Sequence, residues 1–323
     1  SEFWQSYVDT ILDEIKKDKL DGFGTVSNQT RGFGDAMSYP AHPKVRALLR
    51  VPFLYLAVEK FRTNRRWRRS SNNAFTDAQD FFSQKLFIEN LSSEISPVTR
   101  ELGINRFNNV NGQNIPWRYM QAIAYIELLS SGLDGVTKLP PAKIFDGNTM
   151  DIGGGYAPFV DALSIFKSTS NVGEKSTNYL LEQFPVSYIG HQYLTYRHSS
   201  NVLPPVLSAE DLKSTDSVKV GQSFRVIQNT NAKDIKGLDI KFFFNSASFQ
   251  EMDIEQVKDY IEIIRNNCSE TSYLACFFYP STKNSNSPDG YVRLFEKEFE
   301  PVARKELNLE GFVKGTIHLF RVL

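Results

Sequence analysis

Asp151-Ile152-Gly153-Gly154-Gly155-Tyr156-Ala157-Pro158-Phe159 is the stretch that decides the reading of this chain. Residues 148–152 ahead of it form a short strand pattern, and 157–166 after it a helical one. The glycines therefore occupy a strand-to-helix turn. Glycine takes up φ > 0 and lets the backbone pass close to a ligand, which a Cβ resists. The helix that follows offers free N–H groups and a positive dipole end to a carboxylate. Pro158 fits the first turn of that helix, where its missing N–H costs nothing.

Two kinds of cofactor use such a turn. The dinucleotide fingerprint needs Gly-x-Gly-x-x-Gly, and here Pro158 stands at the third glycine. Asp151 lies two residues before the first glycine, which is unusual for a dinucleotide turn. It is expected of the acid-x-Gly-x-Gly turn that holds S-adenosylmethionine in Rossmann-like methyltransferases. The turn resembles that form more closely. A nicotinamide site, and a glycine-rich surface turn with no ligand, remain the alternatives.

Outward from the turn, strands alternate with helices. Further strands are expected over 178–184, 224–228, 238–245 and 273–279, with the last ones within 312–322; helices are expected over 187–196, 253–266 and 294–307. Alternation of this kind argues for an α/β fold: a Rossmann-like, doubly wound, mostly parallel sheet. Ahead of it, residues 1–138 read as a helical region with apolar spacing near 4–15, 45–61, 77–91 and 117–129, and no strand pattern stands out there. Two parts are thus expected: 1–138, a substrate lid or dimerisation region, and 139–323, the ligand-binding domain. The proline- and serine-rich segment 199–221 reads as a loop over the site or a connector.

Composition excludes several classes. The chain has 323 residues, 41% hydrophobic and 23% charged, with a formal net charge of zero. A protein holding DNA or RNA along a track is usually more basic, so a nucleic-acid partner is not expected. No run approaches the roughly 18 apolar residues of a membrane span. Ser1-Glu2-Phe3-Trp4 lacks the basic-then-apolar pattern of a signal peptide. The two cysteines, Cys268 and Cys276, are too few for a disulfide framework, and Cys276 reads as a buried thiol. A cytoplasmic protein fits these features, and a homodimer is compatible with them.

Candidate site residues follow from the strand ends. Asp151, Gly153, Gly154 and Gly155 form the cofactor turn. Glu182, at the end of the second strand of the unit, is placed to accept hydrogen bonds from ribose hydroxyls, and Gln228 ends the third. The fourth strand runs into Asn245-Ser246-Ala247-Ser248-Phe249-Gln250-Glu251-Met252. Asn245 and Ser246 are expected at the cofactor, Ser248 and Gln250 at the acceptor, and Glu251 as a catalytic group. The structural alternative has Ser248 capping the next helix, with Glu251 completing a capping box.

The glycine turn, the strand Tyr179-Leu180-Leu181-Glu182-Gln183-Phe184-Pro185, the segment Gln192-Tyr193-Leu194 and above all Asn245–Met252 resemble the sugar O-methyltransferases of bacterial surface-polysaccharide gene clusters. The resemblance covers about residues 100 to 285. It implies a class I methyltransferase fold, S-adenosylmethionine as donor and a sugar hydroxyl as acceptor, on a nucleotide, a lipid or a polysaccharide. Two departures bear on the acceptor. The family's Asp-Leu-Pro stands here as Glu182-Gln183-Phe184-Pro185, and the small residue usual after its glycine turn stands as Tyr156-Ala157-Pro158.

A sugar hydroxyl needs a base as it attacks the methyl group. Besides Glu251, His191 is a candidate; it shares a helical face with His198 seven residues on, and histidine titrates near neutrality. A packed or surface histidine is the alternative for each. No closely spaced ligand set points to a metal. Arg66, within Arg65-Arg66-Trp67-Arg68-Arg69, could grip a phosphate of the acceptor, and Trp117 could stack on a sugar. Competing readings are a natural-product or peptide methyltransferase, a nicotinamide-dependent oxidoreductase, and a cofactor-binding protein without turnover.

Overall fold

The computed structural model describes residues 107–110, 113–130, 141–173, 175–212, 221–280, 287–309 and 313–322. The helices expected over 4–15, 45–61 and 77–91, and Arg66 with its neighbours, lie outside these residues. The chain divides into two compact units, Ser1–Arg118 with Asn308–Lys314, and Tyr119–Leu307 with Gly315–Leu323.

In the first unit, β1 (Phe107–Val110) and β2 (Gln113–Pro116) pair antiparallel, with Phe107 opposite Pro116 and Val110 opposite Gln113. A hairpin therefore stands in the region where no strand pattern stood out. Asparagine is a turn former, and its frequency masked a ladder made by backbone groups alone.

The second unit is built on a seven-stranded sheet. Its strands are β3 (Asn148–Ile152), β4 (Thr177–Glu182), β5 (Ser223–Gln228), β6 (Ile240–Ser246), β7 (Cys268–Phe278), β8 (Glu300–Leu309) and β9 (Val313–Val322), in the order β5-β4-β3-β6-β7-β9-β8. The first five run parallel, and β9 returns antiparallel to β7. Helices α1 (Trp117–Ser130), α2 (Pro158–Thr169), α3 (Val186–His198), α4 (Ile254–Asn267) and α5 (Pro288–Glu298) accompany it. The order reverses between β3 and β6, and the carboxyl ends of those strands open on the crevice where doubly wound sheets take ligands. This is the Rossmann-like architecture of class I methyltransferases. No helix among the described residues is long and apolar enough to cross a membrane.

The core explains the strands. Phe242, Phe243 and Phe244 in β6 are all buried, as a parallel strand covered on both faces requires. Helix α1 is buried almost all round from Tyr119 to Leu129, so all its faces are covered. Helix α4 is amphipathic, with Val257, Ile261 and Ile264 turned inward.

Two expectations need correction here. Asp253, not Ser248, caps α4: its side chain accepts from Gln256 N–H at 2.8 Å, and Gln256 accepts from Asp253 N–H at 3.1 Å. Ser248–Glu251 forms a separate 3-10 turn. The helix expected over 294–307 ends at Glu298, and Glu300–Leu309 is the edge strand β8. An edge strand with one solvated face carries the same charged residues as a helix surface, and it tolerates Pro301 where a central strand would not.

Helix α2 also anchors the amino-terminal edge of the sheet. Lys167 is fully buried, and its ammonium donates to Gly147 O at 2.8 Å, Asn178 Oδ1 at 3.0 Å and Ser176 Oγ at 3.1 Å. Burial pulls its pKa down to about 7, against the attraction of Asp146. The unfolded chain then binds more protons than the folded one between about pH 7 and about pH 10, so this group's contribution to stability rises with pH across that window. Lys167→Met is expected to cost about 1–3 kcal/mol by orphaning buried acceptors. It should also flatten that part of the stability profile, as urea unfolding at several pH values would read.

Candidate functional site

The glycine turn is held by its neighbours in the sheet. Gly153 N–H donates to Leu181 O at 2.8 Å, which ties the end of β3 to the end of β4. Gly153 and Gly155 have φ of +70° and +64°. Ala157 follows at +76°, a left-handed conformation that costs a residue with a Cβ about 1–2 kcal/mol. Helix α2 starts at once with Pro158.

Asp151 is the main feature beneath this turn. It is 1% exposed, and neither carboxylate oxygen has a hydrogen-bond partner. A Cβ on Gly154 would fall 2.0 Å from its Oδ2, so the carboxylate occupies the space the glycine leaves. Burial pushes its pKa well above the usual carboxylate range, and the charge of Glu182 adds to this. Glu182 accepts from Gly155 N–H at 2.9 Å through one oxygen and from Gln183 N–H at 2.8 Å through the other. Burial pushes its pKa up to about 7 in spite of those two donors, and Glu251 contributes in the same direction. The β4–β5 register sets Gln228 opposite Glu182.

The turn after β6 closes the site from the other side. Asn245 Nδ2 donates to Ile152 O at 2.8 Å and also to Ser248 Oγ, and Ser248 Oγ–H reaches Ile152 O at 3.3 Å. Phe249 N–H donates to Asn245 Oδ1 at 3.3 Å. A Cβ on Gly153 would meet Ser248 Oγ at 2.2 Å. The residue before the glycines is thus pinned by two side chains from β6 and its turn. Gln250 is buried, donating to Tyr279 O at 3.1 Å and accepting from Tyr279 N–H at 2.7 Å, so its amide braces the end of β7. Glu251 is exposed at the same edge.

The structure therefore gathers Asp151, Gly153, Gly154, Gly155, Glu182, Gln228, Asn245, Ser246 and Ser248 at the carboxyl edge of the sheet. Asn245, Ser248 and Gln250 spend their polar groups within the protein. His191 is half-buried in α3; burial lowers its pKa, while a hydrogen bond with the Leu203 backbone opposes that. His198 is engaged by Asp161, 2.8 Å away. Trp117 opens α1. Among the described residues no group of three or more histidine, cysteine, aspartate or glutamate side chains could hold a metal ion.

Residues that sequence reasoning passed over lie along α1. Ser246 Oγ–H reaches the Tyr125 hydroxyl at 3.3 Å, and Gln121 Nε2 donates to the Tyr279 hydroxyl at 3.4 Å. Tyr125 packs on Phe244 and Phe277, with ring centroids 5.3 and 4.9 Å away. Gln121 and Tyr125, four apart and so on one face of the helix, were the available signal.

Strand order and glycine turn together define a Rossmann-like unit. No protein-family model matches the chain, and no curated protein matches it in sequence. Among solved structures it is similar to magnesium protoporphyrin IX methyltransferase from Synechocystis with bound S-adenosylmethionine: 10% identity, 78% of this chain against 99% of that one, TM-score 0.39. It is similar to geranyl diphosphate C-methyltransferase from Streptomyces coelicolor, at 12% identity over 62% and 76% of the two chains, TM-score 0.37. A methyltransferase from Aquifex aeolicus gives 14% identity, 64% and 98%, and 0.37. Likenesses this distant carry neither a residue nor a substrate over to this chain.

Proposed function

We propose that the chain is an S-adenosylmethionine-dependent O-methyltransferase acting on a sugar hydroxyl. Asp151 is the observation that carries the donor reading. A buried carboxylate without a partner is costly, and Glu182 beside it adds like charge. A ligand that brings N–H and O–H donors and positive charge relieves both. S-adenosylmethionine has an ammonium, two ribose hydroxyls and a sulfonium whose methyl group it supplies to the acceptor when bound. A dinucleotide would offer ribose hydroxyls to Glu182 as well, but it would bring a pyrophosphate against Asp151.

In this reading Asp151 holds the methionine end and Glu182 the ribose. Gly153 and Gly154 leave room for Ser248 and Asp151, Gly155 lets the ligand approach the backbone, and the N-terminus of α2 is offered to its carboxylate. Gln228 and Ser246 line the remaining edge. Asn245 and Ser248 act through the Ile152 carbonyl, keeping the turn in place. Glu251, exposed beside the donor site, is placed to take the proton of the attacking hydroxyl. His191 is the second candidate. The sugar acceptor is supported by the resemblance of Asn245–Met252 to the sugar O-methyltransferases, with Trp117 and Arg66 as the residues offered to the sugar and to a phosphate. A cytoplasmic setting and a homodimer belong to the same proposal.

The test is calorimetric titration with S-adenosylhomocysteine, with NAD as control. Micromolar binding of the first alone, lost in Asp151→Ala, is the expected result. Binding of NAD instead, or no binding by the wild type, would overturn the donor reading. Transfer of labelled methyl to nucleotide-linked sugars would then test the acceptor.

A further inference from the structure

We propose that, without ligand, Asp151 and Glu182 hold one proton between them, and that this proton leaves for solvent when the ligand's hydrogen-bond donors enter. The inference rests on the donor-site reading above and adds how strongly that site depends on pH.

The geometry is that of two carboxylates under one turn. Asp151 lies against Gly154, and Glu182 accepts from the N–H of Gly155. Both side chains are buried, and Asp151 has no donor on either oxygen. The groups that act on the pair add no compensating charge. Glu251 comes from the turn after β6, and the Tyr260 phenol comes from α4. Two backbone N–H groups, of Gly155 and Gln183, are the only donors recorded on the pair among the described residues. Two negative charges in such a place interact strongly, so one of them is relieved by a proton.

The same unit contains its own control. Asp161 is equally buried, yet Arg197 lies 3.0 Å from one oxygen and His198 2.8 Å from the other. That carboxyl stays ionised, held below the usual range although burial opposes it. The difference between the two aspartates is the presence of a partner. At the glycine turn the partner must come from outside, and it displaces the proton. The carboxylic O–H bond breaks, the proton passes to buffer, and the freed oxygens accept hydrogen bonds from the ligand. Burial raises both carboxyls above their usual range, so the exchange is drawn up toward neutral pH.

Titration with S-adenosylhomocysteine at about pH 6 and about pH 8 reads this directly. A group titrating near 7 makes affinity about tenfold weaker at the lower pH, with about half a proton released at neutrality. That release appears as a binding heat that differs between phosphate and Tris. Glu182→Gln should bind more weakly with a flat pH profile, which also controls for protonation of the ligand itself. Asp151→Asn should flatten it too. Equal wild-type affinity at both pH values with buffer-independent heat would overturn the proposal, as would an unchanged profile in both variants. If either variant binds too weakly to titrate, the wild-type proton count decides. Absence of binding at every pH would instead remove the donor reading, and this inference with it.

Discussion

Asp161→Ala is expected to destabilise the sheet unit by about 3–5 kcal/mol, the usual loss when one partner of a buried ion pair is removed. Asp161 is fully buried on α2 and gathers side chains from two other helices. Tyr193 donates to Oδ2 at 3.0 Å, Arg197 Nε to the same oxygen at 3.0 Å, and Arg197 Nη2 to Oδ1 at 3.2 Å. The Tyr119 hydroxyl lies against Oδ2 and against the Tyr193 hydroxyl, so the two phenol protons are shared among these three contacts. Removing the carboxylate takes from Arg197, itself 5% exposed, the charge that Asp161 supplies, and takes an acceptor from two buried phenols. Because α2 begins at the glycine turn, the knot also fixes the helix that starts there.

The pH dependence has a definite sign. Burial raises the Asp161 pKa, but His198 and Arg197 more than offset this and hold it below the usual carboxylate range. A depressed carboxylate stabilises the fold at pH above about 4, and that contribution fades as pH falls through the folded value. Asp161→Ala should therefore lose most at neutral pH and converge on the wild type in acid. Urea unfolding measures both. Combining Asp161→Ala with Arg197→Met should cost less than the sum of the single changes, since the second removes the charge that the first exposes. A neutral-pH loss under about 1 kcal/mol would mean the network is not what joins the three helices.

None of that network is legible in the sequence. Tyr119 and Asp161 are 42 positions apart, and Tyr119 and Tyr193 are 74 apart. Nothing local marks a tyrosine as the partner of a distant aspartate. The glycine turn is legible because its requirements are local: a strand run, residues without Cβ, and a proline suited to a helix start. β6 and β7 are legible because strands covered on both faces need continuous apolar runs, and β3 because it leads into the glycine turn. β8 and the hairpin 107–116 are not, since an edge strand or a hairpin can be stabilised by backbone pairing beneath polar side chains. Ser248-Phe249-Gln250-Glu251 drew attention as a site, and it does lie at the carboxyl edge. What sequence could not show is that Ser248 and Gln250 turn inward, toward Ile152 O and the Tyr279 backbone. Polar residues at a strand end serve either purpose, and only the coordinates separate residues that would touch a ligand from those that hold the turn.

The glycines provide a test that separates those two roles. Gly154→Ala would set a Cβ 2.0 Å from Asp151 Oδ2 and 2.9 Å from Leu180 Cδ1, and both of those residues are buried. One must move, so this variant should lose stability by about 1–3 kcal/mol, as overpacking does, and lose S-adenosylhomocysteine binding by more than about 100-fold because Asp151 is displaced. Gly153→Ala should behave similarly, since Ser248 Oγ would lie 2.2 Å away and the φ of +70° adds strain. Gly155→Ala is different. A Cβ there meets nothing within 4 Å, and the penalty is the φ of +64°, about 1–2 kcal/mol. The open space above Gly155 is where a ligand would approach the backbone. Its substitution should leave a folded protein with a small drop in thermal stability and a loss of affinity larger than that drop accounts for. Thermal unfolding and titration of the three variants side by side decide the matter. If Gly155→Ala keeps wild-type affinity, the ligand does not lie over this turn, and Asp151 and Glu182 need another explanation.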